Sequence, residues 1–263
     1  MRIAAAVAAA LPLAGCAARL VLVAPEAAVP PSIDGVLDDA AWAAAPRSER
    51  FDDIEGPFGV HPPFATHVRS TWDERYLYFA AEIEEPDVRA SITVPAEVVY
   101  RDDDFEVFLD PGGDARDYVE LEVNAFGTLW ELLLPRPYVE RGSPAPGFTC
   151  GARAAVQVLG SLGDASDRDR GWTAEIAIPW SGLAAAGVTG PPRPGDSWRV
   201  NFSRVEWPTE VRDGRVRKVP GTSERNWAWS PPGVVDMHRP WLWGTLVFTA
   251  GSPRTPGPTT SVP

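Results

Sequence analysis

Apolar and polar side chains alternate with a period of two along most of this chain, the pattern of strands with one face in a core. In residues 117–127, Val119, Leu121 and Val123 fall on one face and Tyr118, Glu120 and Glu122 on the other. Residues 104–111 do the same, setting Phe105, Val107 and Leu109 against Glu106, Phe108 and Asp110. Residues 63–72 and 75–85, joined by the turn-like pair Asp73-Glu74, predict a hairpin. Further strand-like runs occupy 128–134, 152–160, 172–180, 197–207 and 242–248. Helix is predicted only from Asp38 to Ala45, which opens on acidic residues, and as a short turn from Ser181 to Ala186. Many short strands between turns predict an all-β fold: an antiparallel sandwich with jelly-roll or immunoglobulin-like layers and one or two short helices.

The first residues carry a different signal. Arg2 precedes an uncharged, Ala-rich run from Ile3 to Gly15, too short to span a bilayer, which takes ~20 residues. It ends in Leu13-Ala14-Gly15-Cys16, which matches the lipobox of bacterial lipoproteins. The expectation is a signal peptide over 1–15, removed to leave Cys16 acylated. A cleaved signal followed by a chance Cys is the plainer alternative. Localisation then follows as a lipid-anchored protein of the cell envelope, facing the periplasm or in the outer membrane. Residues 16–31 are expected to be a tether, 32–249 the sandwich, and 250–263 a disordered tail. Cys150, the second of two cysteines, is left without a disulfide partner and is expected to be a packed side chain.

Composition narrows the partners. The net charge of −12 speaks against nucleic acid, which needs a basic face. It speaks equally against anionic membrane surfaces beyond a lipid anchor. Eleven Trp residues are ample for a core, and 28 Pro and 23 Gly punctuate the strands.

Several motifs stand in a fixed order. Ile33-Asp34-Gly35 leads through Asp38 to Trp42; Trp72-Asp73-Glu74 precedes Tyr76-Leu77-Tyr78; then come Asp104 to Asp110, Tyr118 to Asn124, Trp172 to Trp180, Trp198 to Phe202, and Asp236 to Pro240 ahead of Trp243-Gly244. The series resembles family 9 carbohydrate-binding modules and the related haem-binding sandwiches. Physically, Asp34-Gly35 is a turn pair, and Trp42 is expected to plug one end of the sandwich. Asn201 is expected to be a buried hydrogen-bonding residue and not a glycan acceptor.

The resemblance implies a sugar held between two aromatic side chains at one sheet edge. Those positions fall near Tyr100 and near Met237, beside His238, and the family's Arg on the strand 118–124 falls on Glu122. All three depart from the family pattern, so its sugar specificity does not carry over. Trp207, Trp229 and Arg204 join Tyr100, Glu122 and His238 as candidate carbohydrate contacts. Trp227 and Trp229 share a face, so either core or platform is open to them. Arg204 is expected at an outward or edge position if no bulge intervenes. No cofactor is expected, although Asp102-Asp103-Asp104 with Glu106 could supply oxygens to Ca²⁺; a solvated acidic turn is the plainer account.

The reading is therefore a non-catalytic, lipid-anchored carbohydrate-binding protein. The alternatives are a structural envelope sandwich that has lost its sugar site, or a domain that binds haem b for electron transfer. The latter would need His61 or His67 to face Met237, since Met237 and His238 are adjacent and point apart on a strand. Glycoside hydrolysis has no signature here, and the scattered histidines match no metal-hydrolase pattern.

Overall fold

The computed structural model describes residues 19–95 and 97–251. The expected signal segment, Cys16 and residues 252–263 of the expected tail lie outside the described residues.

Among the described residues, fourteen strands and one α-helix follow in chain order. They begin with β1 (Val21–Pro25), α1 (Ala40–Ala44), β2 (Asp52–Asp53), β3 (Thr66–Trp72) and β4 (Tyr76–Ile83). The middle of the chain forms β5 (Asp104–Asp110), β6 (Tyr118–Asn124), β7 (Leu129–Leu134), β8 (Arg153–Val158) and β9 (Trp172–Pro179). The last are β10 (Ser197–Glu206), β11 (Thr209–Arg212), β12 (Arg215–Lys218), β13 (Arg225–Ala228) and β14 (Gly244–Thr249). A large sheet runs β1-β14-β10-β5-β6-β7, with β13 and β2 attached beside β10; a smaller one runs β3-β4-β9-β8. The fold is the all-β sandwich that the alternation predicts.

The two sheets share one core. Phe105, Val107 and Leu109 of β5 and Val119, Leu121 and Val123 of β6 meet Leu77, Phe79, Ile176 and Ile178 of the smaller sheet. The predicted hairpin is β3–β4, closed where Asp73 Oδ1 accepts the backbone N–H groups of Arg75 and Tyr76. The predicted helical turn after Pro179 is a 3-10 helix, Trp180–Ala186. Asn201 is buried, donating to Ser230 O and accepting from Ser230 N and Phe202 N. Cys150 is buried, as expected of a packed side chain.

Two expectations are corrected. Residues 16–31 are not simply a tether, because β1 pairs in parallel with β14 and buries Leu22 and Ala24. The folded part therefore begins before residue 32. Trp42 does not plug an end; it packs with Tyr78, Ala80 and Ala177 on the outer face of the smaller sheet. There its Nε1 donates to Glu175 Oε1 at 2.6 Å, while Glu175 Oε2 accepts the Asp34 and Gly35 N–H groups. One buried carboxylate thus ties the Asp34-Gly35 turn and α1 to β9. Gly35 is required there: its φ is +88°, and a Cβ would lie 2.6 Å from the Val156 carbonyl carbon.

A cleft on the outer face of the larger sheet

The alternation that sends Phe105, Val107 and Leu109 inward sends Asp104, Glu106 and Phe108 to the opposite face of the sheet. On β6 the same parity turns out Glu120 and Glu122. Across the ladder Glu106 stands opposite Glu122, Phe108 opposite Glu120, Glu120 opposite Leu132, and Glu122 opposite Trp130. The segment 235–243 folds back over this face and packs Met237 and Trp243 against Phe108, Tyr118, Leu132 and Leu134. Between that segment and the sheet lies a cleft of about 400 Å³, which Glu106, Glu120 and Glu122 line together with Tyr100, Trp130, Tyr138 and His238.

Loops set the rim. Tyr100 sits on a 3-10 turn, Val99–Arg101, whose Tyr100 N–H donates to Glu122 Oε2 at 2.8 Å. Tyr138 follows Pro137 on a second 3-10 turn and meets the His238 ring edge-on at 4.3 Å. Tyr100 is 40% exposed and Tyr138 44%, so both present rings to solvent at the cleft. His238 shares a hydrogen bond of 3.0 Å between its Nδ1 and Tyr118 Oη. Burial pushes its pKa down to about 4, so it is neutral at pH 7. Its Nε2 is 3.9 Å from Glu120 Oε2, too far for a hydrogen bond and, with a neutral ring, not an ion pair.

The carboxyls are the unusual part. Oxygens of Asp104, Glu106 and Glu122 all lie within 4.8 Å of one another. Burial, then mutual repulsion, holds Asp104 and Glu122 well above the usual carboxylate range, and burial pushes Glu106 up to about 7. Glu120 is raised by burial and by Glu106. Among the described residues no Lys or Arg lines the cleft, and Glu120 Oε2 has no hydrogen-bond partner.

The sequence-derived candidates divide sharply. Tyr100, Glu122 and His238 are brought together in the cleft. Trp229 is a correction: it is 1% exposed and packs on Phe202 in the core, with its Nε1 directed to Glu49. Arg204 is also corrected. It shares the inner face with Phe202, two residues away, and lies buried against Trp227, Glu206 and the Glu84 carbonyl. Trp207 lines a neighbouring hollow instead, where its Nε1 donates to the Tyr100 carbonyl at 2.9 Å, so it braces the rim from outside.

Met237 is buried under the covering segment and presents no platform. The second exposed ring is Tyr138, a residue on a turn with no periodic signal. The acidic run is not a solvated turn. Asp102 accepts from Ser91, Ile92 and Asn124 and pairs with Arg89, which also meets Asp103 at 3.2 Å; only Asp104 and Glu106 join the cleft cluster. With Glu122 they offer three carboxylates, against the ~6–8 oxygens that Ca²⁺ takes. For haem the required pairing is not formed: His67 is bound to the Ser48 carbonyl and His61 to Asp52, and neither lines the cleft with Met237.

Solved structures share this architecture. A family 9 carbohydrate-binding module from Caldicellulosiruptor kristjanssonii in complex with cellotriose aligns with a TM-score of 0.58 at 16% identity, covering 93% of this chain and 98% of its own. A glucose complex of a family 9 module from the same organism aligns with a TM-score of 0.59 at 16% identity, covering 89% and 98%. A protein from Bacteroides uniformis aligns with a TM-score of 0.62 at 20% identity, covering 88% and 100%. No curated protein matches the chain. The family model described as carbohydrate family 9 binding domain-like matches residues 33–247. The chain belongs to that family.

Proposed function

We propose that the cleft binds carbohydrate and that the chain acts as a non-catalytic sugar-binding protein, held at the bacterial cell envelope by a lipid on Cys16. The observation that carries the sugar reading is the pair of exposed rings, Tyr100 and Tyr138, rimming a cleft floored by carboxyls. Sugars present flat C–H faces edged by hydroxyls, so aromatic rings beside convergent acceptors suit them. Family membership supports the same ligand class, as do the related folds in complex with cellotriose and glucose.

The placement of one acid pair supports binding without hydrolysis. Glu106 and Glu122 are direct cross-strand neighbours on one wall, whereas hydrolysis uses two carboxyls flanking the scissile bond, ~5–9.5 Å apart. The Cys16 anchor rests on the lipobox alone.

A glycan array followed by calorimetric titration tests the sugar reading. At least one glycan should bind, and Tyr100→Ala and Tyr138→Ala should each weaken it about tenfold or more without loss of fold. Failure of every glycan on the array would reject it. Labelled palmitate should enter the protein in a bacterial host and fail to enter Cys16→Ser; equal labelling of both would reject the anchor.

A further inference from the structure

We propose that the sugar taken by this cleft carries a free amine, its ammonium group docking on Glu120 in a cleft that Glu106 and Glu122 also line. The inference rests on the carbohydrate reading above and narrows its ligand to amino sugars.

Glu120 points to a cationic ligand most directly. Its side chain is 5% exposed and lines the cleft, yet its Oε2 has no hydrogen-bond partner among the described residues. A buried carboxyl oxygen left in that state is costly, and native structures almost always satisfy such atoms. The neighbouring groups do not relieve it. Glu106 and Glu122 are also acids, no Lys or Arg lines the cleft, and His238 is neutral at pH 7. A cation entering the cleft therefore meets three carboxyls with no competing positive charge.

The walls decide which cation. A bare divalent ion would find three clustered carboxylates where it takes ~6–8 oxygens, and would make no use of the aromatic rim. An ammonium group carries three N–H donors, so it can satisfy the unpartnered Glu120 Oε2 and still donate to a wall acceptor, and it gains from aromatic faces nearby. When that ammonium is carried on a pyranose, the ring's C–H face lies within the same cleft as Tyr100, Trp130 and Tyr138. In 2-amino-2-deoxyhexoses the amine sits directly on the ring, so one ligand supplies both contacts. N-acetylation removes the charge and adds bulk, so it should abolish the advantage.

The test is calorimetric titration of the full chain at pH 6.5 with glucosamine oligomers, their N-acetylated counterparts and cello-oligosaccharides of the same length, and with CaCl₂ alone. The free-amine series should bind at least tenfold tighter than both others. Glu120→Gln, close in shape and uncharged, should cut that preference tenfold. Should that variant unfold, Glu106→Gln is the second probe, with the same expected loss. Equal affinity for amino and neutral sugars would overturn the amine proposal and leave the carbohydrate reading standing. Binding of Ca²⁺ at the cluster with no amine preference would overturn it in favour of a metal. No binding of any sugar would reject both it and the reading beneath it.

Discussion

Glu106 on β5 stands directly opposite Glu122 on β6, carboxyl beside carboxyl on the same face of an antiparallel ladder. Like charges in that position oppose pairing. Burial raises the pKa of each, which favours a proton on the pair and eases that repulsion.

Stability should consequently depend on pH in a defined direction. The Glu106 carboxyl moves from 4.5 to about 7 on folding, so between those values the folded state holds more protons than the unfolded one. The stability it contributes is complete below pH 4.5 and is lost as pH rises through 7. Glu106→Gln removes the titration. Its Tm relative to the parent should rise between pH 5 and pH 8, by roughly 2–4 °C for each kcal/mol relieved. A constant Tm difference across that range would show that Glu106 is ionised throughout.

Tyr100 and Trp229 should separate binding from folding. Trp229 fills the core, so Trp229→Ala should cost about 3–5 kcal/mol in urea denaturation. Tyr100→Ala leaves an exposed rim position and should cost below about 1 kcal/mol while abolishing most sugar affinity. Equal destabilisation by the two would mean that Tyr100 is packed and not presented.

Glu175 should matter for folding although it lies far from the cleft. It accepts the N–H groups of Asp34 and Gly35 and the Trp42 indole N–H, and all three lose their partner in Glu175→Ala. A loss of about 3–5 kcal/mol in chemical denaturation is expected, and Glu175→Gln should recover part of it. A loss below about 1 kcal/mol would mean that water replaces the carboxylate.

Cys150 should be inert in the native protein. Burial and the adjacent Glu131 carboxylate, 3.0 Å from its sulfur, raise the thiol pKa well above its ordinary value. In a Cys16→Ser chain, a thiol reagent should give no reaction until denaturant is added. Prompt stoichiometric labelling would contradict the burial.

Much of this arrangement is legible in the sequence wherever a strict period of two operates. The faces of β5 and β6 follow directly from alternation, whereas the register that sets Glu122 beside Glu106 comes from the pairing of the two strands. The same rule, applied to β10, puts Arg204 on the inner face with Phe202; burial among Glu85, Glu206 and Trp227 keeps a charged residue there against its usual preference for water. Trp229 follows Trp227 inward for the same reason. Tyr138 is invisible to this logic, because it sits on a turn where side-chain direction depends on tertiary contact. The β11–β12 hairpin is similarly hidden: its residues are mostly exposed and polar, so no apolar face marks it. Strand β1 is short and lies just behind the signal-like segment, past Arg19, and only its pairing with β14 reveals it.

That strand changes how force would travel through the molecule. Val21 lies five residues past Cys16, a leash of at most ~18 Å even when fully drawn out. With the proposed lipid in place, the sandwich would ride close against the headgroups with little room to swing. Strand β6, which carries Glu120 and Glu122, is four strands from β1 in the same sheet, ~19 Å away at ordinary strand spacing. A glycan pulled by flow would load the anchor through a single hydrogen-bonded sheet, making that sheet the mechanical link between the captured chain and the membrane.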